Sequence, residues 1–299
     1  MTHQFIQCDV ATGIPLPDSS VQCVVTSPPY FGLRDYGIDG QLGLEKTPDE
    51  YVAKLVDVFR EVHRVLKGDG VVWLNLGDSY AANRSYQVAD NKHTDVGNTK
   101  SSRVPLGFKP KDLLGIPWRV ALALQADGWW LRSDIIWSKP NPMPESVTDR
   151  PTRAHEYLFL LTKSARYYYD ADAIKEPVSE STLKRFGTTT PTRKNPSKQG
   201  LAVGSVRGEQ CLGSPNGVKN KRSVWNITTQ PYKGAHFATF PKKLVEPCVL
   251  AGSRSGDTVL DPFSGSGTTV LVAKEHGRIG IGLELNPKYI QLAEERLAK

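Results

Sequence analysis

Thr258-Val259-Leu260-Asp261-Pro262-Phe263-Ser264-Gly265-Ser266-Gly267-Thr268-Thr269 is the stretch that decides how this chain folds. Thr258-Val259-Leu260 reads as a short apolar strand, the next residues break it, and a helix runs from about Thr268 to His276. Gly265 and Gly267 let the backbone approach a ligand closely, and the helix start that follows favours an anionic group. Roughly twenty residues on, the strand Ile279–Leu285 carries Glu284 near its C-terminal end, where a carboxylate can accept both hydroxyls of a ribose. Strand, Gly-rich turn, helix and strand with a terminal acid together read as a nucleoside site at the carboxyl edge of a sheet. A phosphate-binding loop is the competing reading, but the Lys-Ser/Thr ending of that motif is missing. A Gly-rich turn without a ligand is the other alternative, and the downstream Glu284 argues against it.

Outward from this stretch the same layered pattern continues. A helix from Pro241 through Leu250 precedes it, and a last helix from Pro287 follows, with Asn286 placed to cap it. Nearer the start, Val21-Gln22-Cys23-Val24-Val25 is a buried strand, and Thr47-Pro48-Asp49 opens a helix with proline at a tolerated first-turn position. Its apolar stripe is Tyr51, Leu55, Val58, Val62 and Val65. A turn at Lys67-Gly68-Asp69-Gly70 stops it, and Val71–Leu76 is the next strand. Residues 83–112 are polar without periodicity and read as a long loop, of the kind that binds something or moves. A helix over about Pro117 to Ala126 and strands Leu131–Trp137 and Glu156–Leu161 complete this block, the two strands joined by the turn-rich Ser138–Arg153. Alternating strands and helices predict an α/β fold, a mostly parallel sheet with helices on both faces.

The second motif is Thr26-Ser27-Pro28-Pro29-Tyr30, directly after the buried strand. Two prolines cannot extend a central strand, so the chain must turn out of the sheet. Pro-Pro lacks two backbone donors but keeps its carbonyls. Such a turn can hold a carbonyl and the Ser27 hydroxyl toward an exposed amino group, with Tyr30 offering a face for a planar ring. Standing alone, it would read as a stiff loop with a packed tyrosine.

Charge has a location. Of the net +7, residues 171–234 hold eleven Lys or Arg against four Asp or Glu, while the rest of the chain has 27 of each. A localised basic excess points to a polyanion-binding surface, or more plainly to a solvated basic loop. The same segment is rich in Gly, Ser, Thr and Pro, with Phe186, Trp225 and Tyr232 scattered through it and an apolar run at Ser223–Ile227. It reads as a small irregular module inserted between two halves of one domain, 1–170 and 235–299. The four cysteines, Cys8, Cys23, Cys211 and Cys248, show no metal-ligand spacing and read as reduced thiols, with no metal expected. No apolar run is long enough for a membrane helix and the N-terminus has no secretory pattern, so a cytoplasmic protein without membrane contact is expected.

With both motifs in place, the chain resembles the β-class amino-methyltransferases of DNA. In that family a (S/D)PPY turn precedes the cofactor motif DPFxGSGTT, with a target-recognition segment between them. Further matches are Cys8-Asp9, Gly77-Asp78-Ser79-Tyr80, Asp134–Asn141, Arg153-Ala154-His155-Glu156 and His236–Pro241. The resemblance spans nearly the whole chain outside the basic segment.

It implies a methyltransferase-type, Rossmann-like sheet of seven strands, one of them antiparallel, plus the inserted target-recognition segment. The implied cofactor is S-adenosyl-L-methionine. Asp261, Phe263, Gly265, Ser266 and Thr268 would line its methionine end, Glu284 would meet the ribose, and Thr26 and Gly267 would also belong to the cofactor site. Asp9 stands where the family contacts the adenine, and His236 and Phe240 lie in the segment that closes over the methionine. Ser27, Pro28, Pro29 and Tyr30 form the catalytic turn. Double-stranded DNA is the implied partner, with Lys139 and Asn141 near the target pocket and Arg185, Arg193, Arg207 and Arg222 as candidate DNA contacts. A homodimer and a companion restriction endonuclease are compatible with the resemblance. Serine at the head of the turn favours cytosine N4 as target; adenine N6 is the alternative. An inactive DNA-binding relative, or a methyltransferase of RNA or protein, are readings that the intact motifs and the basic segment oppose.

Overall fold

The structure is a computed structural model and describes residues 3–33, 35–81, 104–105, 107–179, 217–229 and 240–298. His236, Arg185, Arg193, Arg207 and Cys211, with most of the expected 83–112 loop, lie outside the described residues. The chain divides into two compact units, Met1–Tyr169 with Ser223–Lys299, and Asp170–Arg222.

The strands of the larger unit are β1 (Gln4–Gln7), β2 (Val21–Thr26), β3 (Leu66–Leu76), β4 (Trp130–Ser138) and β5 (His155–Thr162), followed after the smaller unit by β8 (Val224–Asn226), β9 (Thr258–Asp261) and β10 (Ile279–Glu284). The smaller unit contributes β6 (Glu176–Pro177) and β7 (Val218–Lys219), an antiparallel pair beside which Lys221 reaches Glu176 at 3.3 Å.

The sheet of the larger unit is ordered β1-β10-β9-β2-β3-β5-β4-β8. Every pairing is parallel except those of β5, which runs against both β3 and β4. The mostly parallel α/β architecture with one reversed strand stands, but among the described residues the sheet has eight strands rather than seven. The eighth, β8, comes from the run Ser223–Ile227 inside the basic segment. It pairs with β4 at Ile136↔Val224 and Trp137↔Trp225, which buries the Trp225 side chain. The compositional boundary at 234 and the compact-unit boundary at Arg222 differ for this reason: an apolar strand is recruited to the sheet edge from within a polar stretch.

Helices cover both faces because the strands are apolar on both sides. Val24, Val72, Leu74, Phe159 and Leu161 share one core cluster with the stripe of α1 (Pro48–Val65) and with Val120 and Leu124 of α2 (Ile116–Ala126). Cys23, Val71 and Trp73 point the other way, toward α3 (Lys242–Gly252), so closely that a Cβ on Gly252 would lie 2.7 Å from the Cys23 sulfur. Two further helices, α4 (Thr268–Glu275) and α5 (Pro287–Leu297), follow β9 and β10. Thr47 caps α1 by accepting from the Glu50 N–H at 3.2 Å, and Asn286 caps α5 by accepting from the Lys288 N–H at 3.0 Å. The turn expected at 67–70 is instead the start of β3. Its pairing with β2 steps from Val21↔Leu66 to Cys23↔Val71, so the Gly-rich residues bulge out of the ladder without ending it.

Candidate active-site cleft

Strand polarity gathers the chemistry on one edge of the larger unit. β2, β3, β4, β9 and β10 end there, and the reversed β5 begins there. An open cleft of about 860 Å³ lies along this edge. Its wall includes Asp9, Ser27, Tyr30, Phe263, Ser266 and Glu284. Pro28, Pro29, Gly265, Thr268, Phe240, Lys139 and Asn141 also line it, so most of the residues singled out in the sequence meet in one place.

Thr26, Asp261 and Gly267 sit behind the wall rather than on it. The Asp261 carboxylate accepts from Thr26 Oγ1 at 2.7 Å, Thr269 Oγ1 at 2.8 Å and the Phe263 N–H at 3.1 Å. Burial raises its pKa to about 6, with the three donors opposing that rise. Asp261 therefore ties β9 to β2, joining motifs 235 residues apart. Gly267, at φ +76°, takes a left-handed turn against Phe5 and Ala293, where a Cβ would lie 2.7 Å from the Phe5 ring.

On this side of the cleft the Gly-rich turn is braced from two directions. Glu284 accepts the Gly265 N–H at 2.8 Å and the Asn286 N–H at 2.9 Å, and burial raises its pKa. Arg296, from α5, donates to the Ser266 carbonyl at 3.1 Å and to Thr268 Oγ1 at 2.9 Å. Asp9 caps a short 3₁₀ turn by accepting from the Ala11 N–H at 3.0 Å. Ser264 Oγ is buried in the wall without a partner among the described residues.

Across the cleft the Pro-Pro turn is fixed by side chains from distant elements. Tyr51 of α1 donates to the Pro29 carbonyl at 2.8 Å, whereas no described residue donates to the Pro28 carbonyl. Tyr30 packs its ring on Gly77, where a Cβ would come within 2.5 Å of Cε2. The Tyr30 hydroxyl donates to Glu156 Oε2 at 2.7 Å, lies 3.2 Å from Asn75 Oδ1, and accepts from Ser27 Oγ at 3.3 Å. Burial first, and the Glu156 charge second, hold the Tyr30 phenol far above its ordinary range, so it stays protonated. Lys139 pairs with the other oxygen of Glu156 and lies 4.4 Å from the Trp137 ring centre. Asn141 is likewise engaged within the protein: its side chain accepts from the Thr229 N–H at 3.0 Å and donates to the Thr229 carbonyl at 3.3 Å. Arg153, 3.6 Å from Asp78, has buried Nε and Nη1 atoms without partners among the described residues. Arg222 belongs to the smaller unit, 3.5 Å from Glu176.

Arg296, Tyr51, Asn75 and Glu156 take part in the site without any role that the sequence assigns them. Asn75 and Glu156 stand in motif-like stretches, but nothing in their spacing shows that they meet Tyr30 from 45 and 126 residues away.

A mostly parallel sheet with a ligand-sized crevice beyond its strand ends defines an α/β protein with a candidate small-molecule site at its carboxyl edge. The chain belongs to the N6/N4 DNA methylase family, whose model matches residues 21–295. It is 49% identical over 283 residues to the Type II methyltransferase M.Cfr9I of Citrobacter freundii, covering 94% of this chain and 83% of that one. It is also 49% identical over 284 residues to M.SmaI of Serratia marcescens, covering 94% and 86%. Among solved structures, a putative DNA modification methylase from Thermus thermophilus, complexed with S-adenosyl-L-methionine, superposes with a TM-score of 0.62 at 24% identity, covering 100% of this chain and 93% of the other. The PvuII cytosine-N4-specific DNA methyltransferase gives 0.62 at 19% identity, covering 99% and 86%. The fold is the methyltransferase fold.

Proposed function

We propose that this DNA methyltransferase transfers the methyl group of S-adenosyl-L-methionine to the exocyclic N4 of a cytosine flipped out of duplex DNA, at a specific sequence. The observation that carries the reading is the turn itself. Ser27 Oγ and a Pro28 carbonyl without a donor among the described residues stand in the same cleft as the Gly265–Thr268 turn and Glu284. The residues fit the cofactor. Ser264 Oγ is an orphaned polar atom in the wall among the described residues, Glu284 keeps lone pairs beyond the Gly265 and Asn286 N–H groups, and Gly265 lines the cleft without a side chain of its own. Glu284 and Asp9 would hold the nucleoside, and Phe263, Ser266 and Phe240 the methionine part. The cofactor when bound supplies an electrophilic methyl group.

The rest is the work of this chain's residues. An exocyclic amine is a poor nucleophile because its lone pair is delocalised into the ring. Two acceptors, Ser27 Oγ and the Pro28 carbonyl, favour a more pyramidal nitrogen by hydrogen bonding to its two protons. Tyr30, its ring held against Gly77 and lining the cleft, would stack on the base. Flipping costs a few kcal/mol, and stacking returns about 1–3 kcal/mol of it. The basic segment 171–234 would recognise the target, adding salt-sensitive phosphate attraction, with arginines such as Arg222 reading base edges. The Type II relatives support a role beside a restriction endonuclease.

Serine at position 27 is what favours cytosine over adenine, and the cytosine-N4-specific PvuII enzyme shares the fold. Duplex DNA incubated with the protein and isotopically labelled S-adenosyl-L-methionine, then digested to nucleosides for mass spectrometry, tests the reading. Labelled N4-methylcytosine is expected. Labelled N6-methyladenine overturns the choice of base, and no label in either nucleoside overturns the activity.

A further inference from the structure

We infer that Ser27, Tyr30 and Glu156 form a proton path that carries the proton shed by the methylated amine from the target base to the Glu156 carboxylate. The inference rests on the amino-methyltransferase reading above and assigns the proton a destination within the protein.

Three hydrogen bonds set the direction. The Tyr30 hydroxyl has one proton, and its shortest contact is with Glu156 Oε2 at 2.7 Å. Because Glu156 is the acceptor there, the Tyr30 oxygen is free to accept, and Ser27 Oγ donates to it at 3.3 Å. With its own proton turned toward Tyr30, Ser27 presents lone pairs to the cleft. This polarity lets a serine act as an acceptor for an amine. Asn75 reinforces it: its Nδ2 donates to the Tyr157 carbonyl at 3.0 Å, which turns Oδ1, an acceptor, toward the Tyr30 hydroxyl. Lys139 holds the far oxygen of Glu156, and the preceding residue, His155, has its imidazole pKa lowered by burial and then by the Arg153 charge. Ser27, Tyr30, Glu156 and Lys139 all line the cleft, and Glu156 and Lys139 keep 15% and 18% of their side chains open to solvent.

The step balances without any further reactant. When the amine lone pair forms the new N–C bond, the nitrogen carries one proton too many. Its N–H bond breaks to Ser27 Oγ, the Ser27 O–H proton passes to Tyr30, and the Tyr30 proton passes to Glu156. Each oxygen between the ends gains one proton and loses one; only the nitrogen and Glu156 change. The phenol never has to exist as a phenolate, which fits its burial. Glu156 touches neither base nor cofactor in this scheme and acts through Tyr30.

Tyr30→Phe and Glu156→Gln test the path, singly and together. Gln keeps an acceptor for Tyr30 but cannot hold the proton as a carboxylate does. Each single variant should lower the single-turnover methyl-transfer rate by about 10- to 100-fold, at the low end of general-base effects. Affinities for cofactor and DNA should change little. The double variant should be no slower than the worse single, as expected for residues acting in one chain. Wild type should show a solvent deuterium isotope effect that Tyr30→Phe abolishes. Independently of activity, ¹³Cζ-tyrosine labelling should show the Tyr30 resonance moving in Glu156→Gln. A full-rate Glu156→Gln enzyme, multiplicative rate losses or an unmoved Tyr30 resonance each overturn the path. These outcomes are separate from failure of the reading beneath it, in which wild type would methylate neither base.

Discussion

The two walls of the cleft are built by opposite strategies. On the side of the Gly-rich turn, the proposed cofactor wall, the groups that shape the site are neighbours in sequence or lie on adjoining strands. Glu284 holds Gly265 and Asn286, Asp261 holds Phe263 and Thr269, and Arg296 braces Ser266 and Thr268. Most of this wall sits within one short span of the chain, and much of its bracing is to backbone. On the side of the Pro-Pro turn, the proposed target wall, Ser27, Asn75, Lys139 and Glu156 come from the ends of four strands and converge on a single phenol oxygen or on each other. A wall made of local backbone tolerates change at its edges. A wall made of converging side chains fails when one of them moves. The joint between them is the buried contact of Asp261 with Thr26.

The largest effect should come from that joint. Asp261→Ala leaves the Thr26 hydroxyl and the Phe263 N–H unpaired, at about 1–3 kcal/mol each, while Thr269 Oγ1 keeps the Val25 carbonyl at 3.1 Å, and the loss is partly offset by removing a poorly solvated carboxylate. A net loss of about 3 kcal/mol or more in urea unfolding is expected, with both walls weakened; loss confined to one wall would break the comparison. The same residue gives a pH signature. Its pKa is raised from 3.8 to about 6, so between those values the folded chain retains a proton that the unfolded chain releases. Stability contributed by this group therefore falls as pH rises through that window. Asp261→Asn should flatten that slope relative to wild type.

Glu284→Ala comes next. It removes the acceptor for two backbone N–H groups and the proposed ribose contact, so cofactor affinity measured by calorimetry should fall by about 10- to 50-fold, or about 2 kcal/mol. DNA binding should be unchanged. Unchanged cofactor affinity would take Glu284 out of the site.

Gly77→Ala is the smallest and the sharpest. The added methyl meets the Tyr30 ring, so Tyr30 must shift. Single-turnover rate should drop about tenfold, or about 1.4 kcal/mol, while the cofactor still binds normally. A fall in cofactor affinity instead would show that the two walls are not separable.

The same contrast explains what was legible in the sequence. The helix over Pro48–Val65 follows from its apolar stripe and the Thr47-Pro48 start, and β9, β10 and the helices after them follow from local punctuation. The Pro-Pro and Gly-rich motifs are contiguous, so their chemistry could be read from order alone. Two local signals misled. Gly68 and Gly70 look like a turn yet ride in a bulge of β3, because the pairing with β2 and β5 outweighs the weak strand preference of glycine. The apolar run at 223–227 looks like part of an irregular insert yet completes the sheet, because Trp225 gains burial beside Trp73 and β4.

By itself the sequence determined the class of fold, the family, the two motifs and their order, since each depends on residues close together in the chain. Tertiary structure alone decided that Asp261 ties β9 to β2, and that Lys139 and Asn141 are engaged inside the protein. It also decided that Tyr30 answers to Glu156. Those roles depend on which strand lies beside which and in what direction, and hydrogen bonds across a sheet carry no trace in the spacing of the residues that make them.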